Sequence, residues 1–313
     1  MKYEKKILLE GEAFDKQVLK RKKFGLKPDL RNLKKNLNFY NNPWREPQFF
    51  NIQWMKIIND VIKACSRNNR KKKILEVGCG TGFLSLELAR KGHNVLGVDI
   101  SNISIDEANK YLKKKKNENL KLSYKVGDIN NIKFREKFDV LIFYRSLHHF
   151  KNISNLLKKL SKNLNPKSTI IICEPLRKNF EKINSIISLI LRLSLSTWIP
   201  IEKKIPKKIN YNFFVKQQKK IQMEYKYLSK KNRFKQSPMD NSTDDPQKVL
   251  LNVKKYFKIK KLRFYDAFID KLIGGLRGKQ RFLIAKLLKE FDNYLIKENI
   301  AKGTTLYIEA EKK

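Results

Sequence analysis

Residues 73–82 read Lys73-Ile74-Leu75-Glu76-Val77-Gly78-Cys79-Gly80-Thr81-Gly82. A short apolar run that meets glycines at alternate positions predicts a strand turning sharply into a loop. Glycine allows the turn and removes the Cβ atoms that would hold a ligand away from the backbone. The next stretch, 83–91, has helical periodicity, with Leu84, Leu86, Leu88 and Ala89 apolar. A strand before and a helix after are the context that separates a ligand loop from a chance glycine triplet.

Outward from this loop the pattern repeats. Strands are expected at 94–99, 121–126, 138–144 and 168–173, with helices at 105–115 and 153–164. Alternation of this kind predicts an α/β fold, a Rossmann-like parallel sheet with helices on both faces. Residues 177–250 break the pattern and hold no clear strand. Alternation returns at 257–266, followed by a helix at 280–296 and a last strand at 304–309. The expected organisation is an N-terminal helical segment over 1–72 capping the active site, a sheet domain over 73–176 and 251–313, and a helical insertion over 177–250 acting as a lid on the acceptor. Phe39, Tyr40, Trp44, Phe49, Phe50 and Trp54 in the leading segment are read mostly as packing.

The loop narrows its own ligand. A dinucleotide loop of the form Gly-x-Gly-x-x-Gly would place a small residue at Phe83, and a phosphate loop would need Gly-Lys-Ser/Thr; neither is present. S-adenosyl-L-methionine has no phosphate and carries an ammonium and a sulfonium, and Glu76 sets a carboxylate at the loop's entry. Asp99 ends the second strand, 17 residues beyond Gly82, where a carboxylate accepts hydrogen bonds from two ribose hydroxyls. Asp128, after the third strand, suits an adenine amino group, and Ile100 and Ile129 offer apolar contact to the ring.

These pieces, with Val98-Asp99-Ile100-Ser101, Gly127-Asp128, Asp139-Val140-Leu141-Ile142 and Leu147-His148-His149-Phe150, resemble the class I methyltransferases, especially the small-molecule branch of the methyltransferase type 11/12 kind. The resemblance covers about 73–175 well and the tail more loosely. It implies a seven-stranded, mostly parallel sheet with the last strand antiparallel, and S-adenosyl-L-methionine held by Glu76, Gly78, Gly80, Asp99 and Asp128. Cys79, Gly82, Ile100, Ile129 and Tyr144 complete the expected cofactor set.

Methyl transfer needs donor and acceptor held in line and, for some acceptors, a base. The segment after the fourth strand, Phe143-Tyr144-Arg145-Ser146-Leu147-His148-His149-Phe150, faces that reaction. It lacks the Asn/Asp-Pro-Pro-Tyr/Phe clamp of enzymes that methylate nucleobase amines. His148, His149 and Tyr144 are the catalytic candidates, with Arg145 a weaker one; adjacent residues in an extended loop point apart, so at most one histidine is expected to face the acceptor. The expected activity is methyl transfer to a small, hydrophobic or lipid-linked metabolite. Two alternatives stay open: an RNA methyltransferase using its basic surface, and a non-catalytic adenosylmethionine-binding module.

The basic surface is the motive for the RNA alternative. Lys and Arg number 71 against 30 Asp and Glu, a formal net charge of +41. The excess is spread along the chain: 201–260 carries 17 basic against 5 acidic residues. A compositional bias therefore competes with a functional basic face. Residues 183–200 predict an amphipathic helix, with Ile183, Ile186, Ile187, Ile190, Leu191 and Trp198 on one side and Ser185, Ser188, Arg192 and Ser196 on the other, read as sheet packing, a lid, or peripheral membrane contact. Basic and aromatic residues mix over 203–235, including Tyr211, Phe213, Phe214, Tyr225, Tyr227 and Phe234. Cys65, Cys79 and Cys173 form no Cys-x-x-Cys and predict neither a disulfide framework nor a metal site. No signal peptide or membrane span is expected, so the chain is read as cytoplasmic with membrane association open.

Overall fold

Each glycine- or Asp-terminated apolar run becomes a strand of one mixed sheet. The computed structural model describes residues 3–25, 27–39, 42–67, 70–114, 117, 119–194, 210–226, 237–240 and 245–313. Its elements are α1 (Tyr3–Lys23), α2 (Pro47–Gln53), α3 (Met55–Cys65), β1 (Lys73–Val77), α4 (Phe83–Arg90), β2 (Asn94–Asp99), α5 (Asn102–Leu112), β3 (Leu122–Val126), β4 (Phe138–Tyr144), α6 (Ile153–Ser161), β5 (Leu164–Pro175), α7 (Lys182–Ser194), α8 (Tyr211–Lys226), α9 (Pro246–Tyr256), β6 (Phe257–Tyr265), α10 (Arg281–Lys297) and β7 (Thr305–Lys312). The sheet runs β3-β2-β1-β4-β5-β7-β6. β1 to β5 pair in parallel, and β7 lies antiparallel to both β5 and β6. The seven strands and the antiparallel last strand agree with the sequence reading.

Strand order reverses between β1 and β4, and an open α/β sheet leaves a crevice outside the carboxyl ends of its strands at such a switch. Register aims the motifs there: Val77 pairs with Val98 on one side and Phe143 on the other. Gly78, Asp99 and Tyr144 therefore leave the sheet side by side.

Alternation along the strands fills both faces. Leu75, Val77, Val98, Leu141, Phe143, Ile170, Ile172 and Ile308 form one core with α6 and α9. Ile74, Val95, Val140, Ile142, Ile171, Cys173 and Tyr307 form the other with α3 and α4. A third core joins Phe49, the turns at 267–276, and α10. Caps set several helix starts: Ser101 accepts from Ser104 N, Asn152 from Asn155 N, and Asp245 precedes Pro246 at the first helical position.

The helix expected over 183–200 is helical through Ser194, but its buried side is not the apolar one. Asn184, Ser185, Ser188 and Leu189 are buried, while Ile183 and Ile190 are exposed. Two contacts explain the reversal. Asn184 Nδ2 donates to the carbonyls of Ala267 and Lys302, and Ser185 Oγ accepts from Gln218 of α8 at 2.7 Å. Small and amide side chains thus seat α7 closely, with Ile187 and Leu191 half-buried against the third core. Ser196, Trp198, Tyr227 and Phe234, as well as Tyr40, lie outside the described residues. α9 begins at Pro246, and Val249, Leu250 and Val253 belong to the sheet core. No described helix is long and apolar enough to cross a membrane.

Candidate active site

The crevice is a cavity of about 640 Å³, within the range of cofactor and small-ligand sites. The loop after β1 lines it with left-handed glycines, φ 73° at Gly78 and 53° at Gly80. The two do different work. A Cβ on Gly78 would lie 2.4 Å from Ser146 Cβ, so this glycine lets the loop after β4 close beneath it. A Cβ on Gly80 would meet nothing within 4 Å, because that position faces the cavity. Gly82 is not part of the cavity wall. It starts α4 and packs over the Tyr124 ring, whose hydroxyl donates to Gly82 O at 3.2 Å. Tyr124 is a support the sequence reading did not single out.

Three carboxylates stand along the wall in the order of their strands. Glu76 is buried and accepts from Ser85 Oγ of α4; burial pushes its carboxyl up to about 8 against the opposing effect of that bond. Asp99 accepts from Gly80 N at 2.7 Å through one oxygen and from Ser101 N at 2.9 Å through the other, and burial raises it above the ordinary aspartate range. Asp128 Oδ1 accepts from both nitrogens of Asn130 at 2.9 Å. Asp128 Oδ2 is buried with no partner among the described residues. A buried acceptor without a donor is costly, and a donor on a ligand or an ordered water satisfies such a group. Cys79, Ile100, Ile129 and Tyr144 also line the cavity.

The two adjacent histidines share a 3-10 turn, Leu147–His149, rather than an extended loop, and their ring centroids lie 4.0 Å apart; of the two only His149 lines the cavity. His148 is buried, does not line the cavity, and meets Glu174 Oε2 through Nδ1 at 2.6 Å. Glu174 Oε1 accepts from Ser146 N and Leu147 N at 2.8 and 2.7 Å, and Ser146 Oγ donates to Val77 O at 2.5 Å. This group fastens the turn after β4 behind Gly78. Burial lowers the His148 imidazole despite the carboxylate beside it. His149 lines the cavity, and its Nδ1 lies 2.8 Å from Glu10 of α1 and 3.1 Å from Ser237 Oγ. Tyr144 faces the cavity with its ring edge-on to Phe83, and burial raises its phenol.

Helix α1 forms the roof. Ile7, Glu10, Phe14, Val18 and Arg21 line the cavity. Glu10 is buried and accepts from Ser237 Oγ and from Met239 N at 2.7 Å, tying α1 to residues 237–240. Asp15 accepts from Ser101 Oγ at 2.5 Å and from Ile103 N at 3.1 Å. Neither acid stood out in the sequence, because α1 is rich in charge and its polar residues look solvated until the helix is placed. The aromatics of the leading segment divide: Phe39, Trp44, Phe50 and Trp54 line the cavity, whereas Phe49 packs in the third core.

S-adenosyl-L-methionine fits these residues. Glu76 would meet the charge of an ammonium, Asp99 has lone pairs that would take ribose hydroxyls, the unpartnered oxygen of Asp128 would take an amino donor, and Gly80 leaves the wall open. When bound, the cofactor would supply an electrophilic methyl on sulfur, and these residues would bind and orient it.

The sheet order, the switch-point loop and its carboxylates define a class I, Rossmann-like methyltransferase. Residues 68–231, more than half of the chain, match the family described as Methyltransferase domain, and the chain belongs to that family. It is 31% identical over 153 residues to a ubiquinone biosynthesis O-methyltransferase of Pelagibacter ubique (strain HTCC1062), covering 48% of this chain and 61% of that protein. It is 30% identical over 116 residues to the protein of the same name from Rickettsia akari (strain Hartford), covering 37% of this chain and 45% of that one. The chain thus spans less than two thirds of the length of these relatives. Among solved structures it is similar to the N-methyltransferase NodS from Bradyrhizobium japonicum WM9, at 11% identity and a TM-score of 0.46 over 95% of this chain and 97% of that one.

Proposed function

We propose that the protein transfers a methyl group from S-adenosyl-L-methionine to a small, hydrophobic or lipid-linked acceptor. The carrying observation is that one cavity joins the carboxylate row of Glu76, Asp99 and Asp128 to an aromatic wall of Trp44, Phe50, Trp54, Phe83 and Tyr144. The carboxylates suit the cofactor, and the aromatic wall suits an apolar acceptor body. The relatives named for ubiquinone biosynthesis favour the same class of acceptor. The roof of α1 favours a small acceptor over an RNA strand, which needs an open basic groove.

In this reading Glu76, Gly78, Cys79, Gly80, Asp99, Ile100, Asp128, Ile129 and Tyr144 bind the cofactor, and Gly82 shapes the loop. His149 and Tyr144 face the acceptor, and His148 holds the turn that carries them. Residues 1–72 cap the site, and the insertion closes its far side through Met239. An acceptor with a lipid tail is approached from a bilayer. The row Leu283, Leu287, Phe291 and Tyr294 is exposed along α10, with Lys286 and Lys297 on the same helix, and suits peripheral contact with an anionic surface.

Calorimetry with S-adenosylhomocysteine, followed by incubation with methyl-labelled cofactor and a lipid extract, tests the reading. Binding in the wild type, its loss in Asp99→Ala, and label in an extractable small molecule support it. Absence of binding to the wild type refutes it. Label in RNA, with binding that falls steeply with salt, points to the alternative acceptor.

A further inference from the structure

Helix α1 roofs the cofactor end of the cavity without being built into the body beneath it. Among the described residues, none of α1 belongs to the hydrophobic cores, and only Glu10, Gly11 and Val18 of its 21 residues are buried. Elements with few buried apolar contacts are the ones that open most readily. What holds α1 down is polar and comes at a few points. Tyr3 Oη accepts from Asn130 Nδ2 at 3.0 Å, Asp15 accepts from Ser101 Oγ and Ile103 N, and Lys22 pairs with Glu107 at 2.8 Å. The first two ties rest on the loops after β3 and β2, which carry Asp128 and Asp99. Gly11 brings the helix down on the second of these loops, where a Cβ would lie 3.2 Å from Ile100 O. The cavity wall that carries Asp99 and Asp128 is thus roofed by Ile7, Phe14 and Val18.

The remaining tie is of a different kind, because it joins α1 to the insertion. Glu10 is buried and both its oxygens are used. Oε1 accepts from Ser237 Oγ and lies 2.8 Å from His149 Nδ1, and Oε2 accepts from Met239 N at 2.7 Å. Residues 237–240 are fastened in turn to the sheet. Asp240 accepts two bonds from Arg177, just beyond β5, at 2.7 and 2.9 Å, and both side chains are buried. Bidentate arginine–carboxylate pairs are strong and directional. The contacts therefore run from the sheet through Arg177 and Asp240 to Ser237 and Met239, and from these through Glu10 to α1. Lifting α1 parts all the partners of Glu10 together and strands a buried carboxylate's donors.

We infer that residues 237–240 are a strap that latches α1 shut over the cavity through Glu10, and that the cofactor enters and leaves only when this latch opens. This rests on the methyltransferase reading above and deepens it. The latch belongs to the closed protein with or without ligand. Weakening it raises the open fraction of both states and leaves the difference between them unchanged. Entry and exit then quicken together while Kd holds. Loss of a direct ligand contact acts differently, raising the exit rate alone.

The test is stopped-flow exchange of S-adenosylhomocysteine on the full chain, read by tryptophan fluorescence, since Trp44 and Trp54 line the cavity. Glu10→Gln keeps the side chain's shape and sets an amide against the donors of the strap. It is expected to speed association and dissociation by about tenfold each, with Kd within about twofold of the wild type. Ser237→Ala removes one neutral donor and is expected to speed both by about threefold. In the ligand-free protein, hydrogen exchange of the α1 amides should quicken about tenfold in Glu10→Gln, while the amides of β1 and β4 exchange as in the wild type, which also shows that the variant is folded. Exchange rates of ligand and of α1 amides unchanged in both variants overturn the inference and leave the methyltransferase reading intact. Faster dissociation with unchanged association also overturns it, because Glu10 is then a ligand contact. No S-adenosylhomocysteine binding in the wild type overturns both.

Discussion

If Glu76 holds the cofactor's ammonium as proposed, cofactor affinity should depend on pH with a sign fixed by its raised carboxyl. Its carboxyl stands at about 8 in the free protein, because burial outweighs the Ser85 hydrogen bond. A ligand ammonium needs the ionised carboxylate, so binding near neutral pH must first expel a proton. Each pH unit below 8 then weakens binding by about tenfold, or about 1.4 kcal/mol, and near pH 7 close to one proton leaves per ligand bound. The sign follows from the raised value: the free fold favours the protonated form, and that advantage is lost as pH rises through about 8. Calorimetric titration with S-adenosylhomocysteine between pH 6 and 9, in buffers of different ionisation enthalpy, measures both slope and proton count. The expected affinity climbs to about pH 8 and then levels. Glu76→Gln is expected to bind weakly with little slope, which separates Glu76 from Asp99, whose carboxyl burial also raises. A wild-type affinity flat from pH 6 to 8, with no buffer dependence, would falsify the pairing of Glu76 with the ligand's amino group.

Three further outcomes are expected. Gly78→Ala sets a Cβ 2.4 Å from Ser146 Cβ at φ 73°, and should cost about 1–3 kcal/mol in urea unfolding together with cofactor binding; wild-type stability and affinity would show that the loop after β4 yields freely. Asp292→Ala frees the backbone N–H groups of Ala267, Phe268 and Ile269 in a buried turn, and should lower stability by about 3 kcal/mol in urea unfolding; wild-type stability would show that the turn finds other acceptors. Leu283→Glu with Leu287→Glu should weaken co-sedimentation with phosphatidylglycerol vesicles about tenfold while S-adenosylhomocysteine binding persists; unchanged sedimentation removes α10 as the membrane face.

The sheet was legible because its signals are local. The run at 73–77, the glycines after it and Asp99 at a strand end each state a backbone requirement that the next few residues complete. The insertion was legible only as an interruption. Its first helix misled because periodicity reports where apolar residues sit, not which side is buried. In α7 the serine side is seated by Asn184 bonding to carbonyls 83 and 118 residues away, a contact that leaves no periodic trace.

The same distinction runs through the site. The cofactor end is built from consecutive strand ends, so the motif and the geometry coincide. The far side of the cavity is lined by Arg145 and by Asp270 some 125 residues further on, which meet only through folding. Local pattern also marked the paired histidines: His148 meets Glu174 away from the cavity, and His149 lines the cavity while its Nδ1 meets Glu10 and Ser237. Asp128 Oδ2, buried without a partner among the described residues, is a group left unmet beside that cavity.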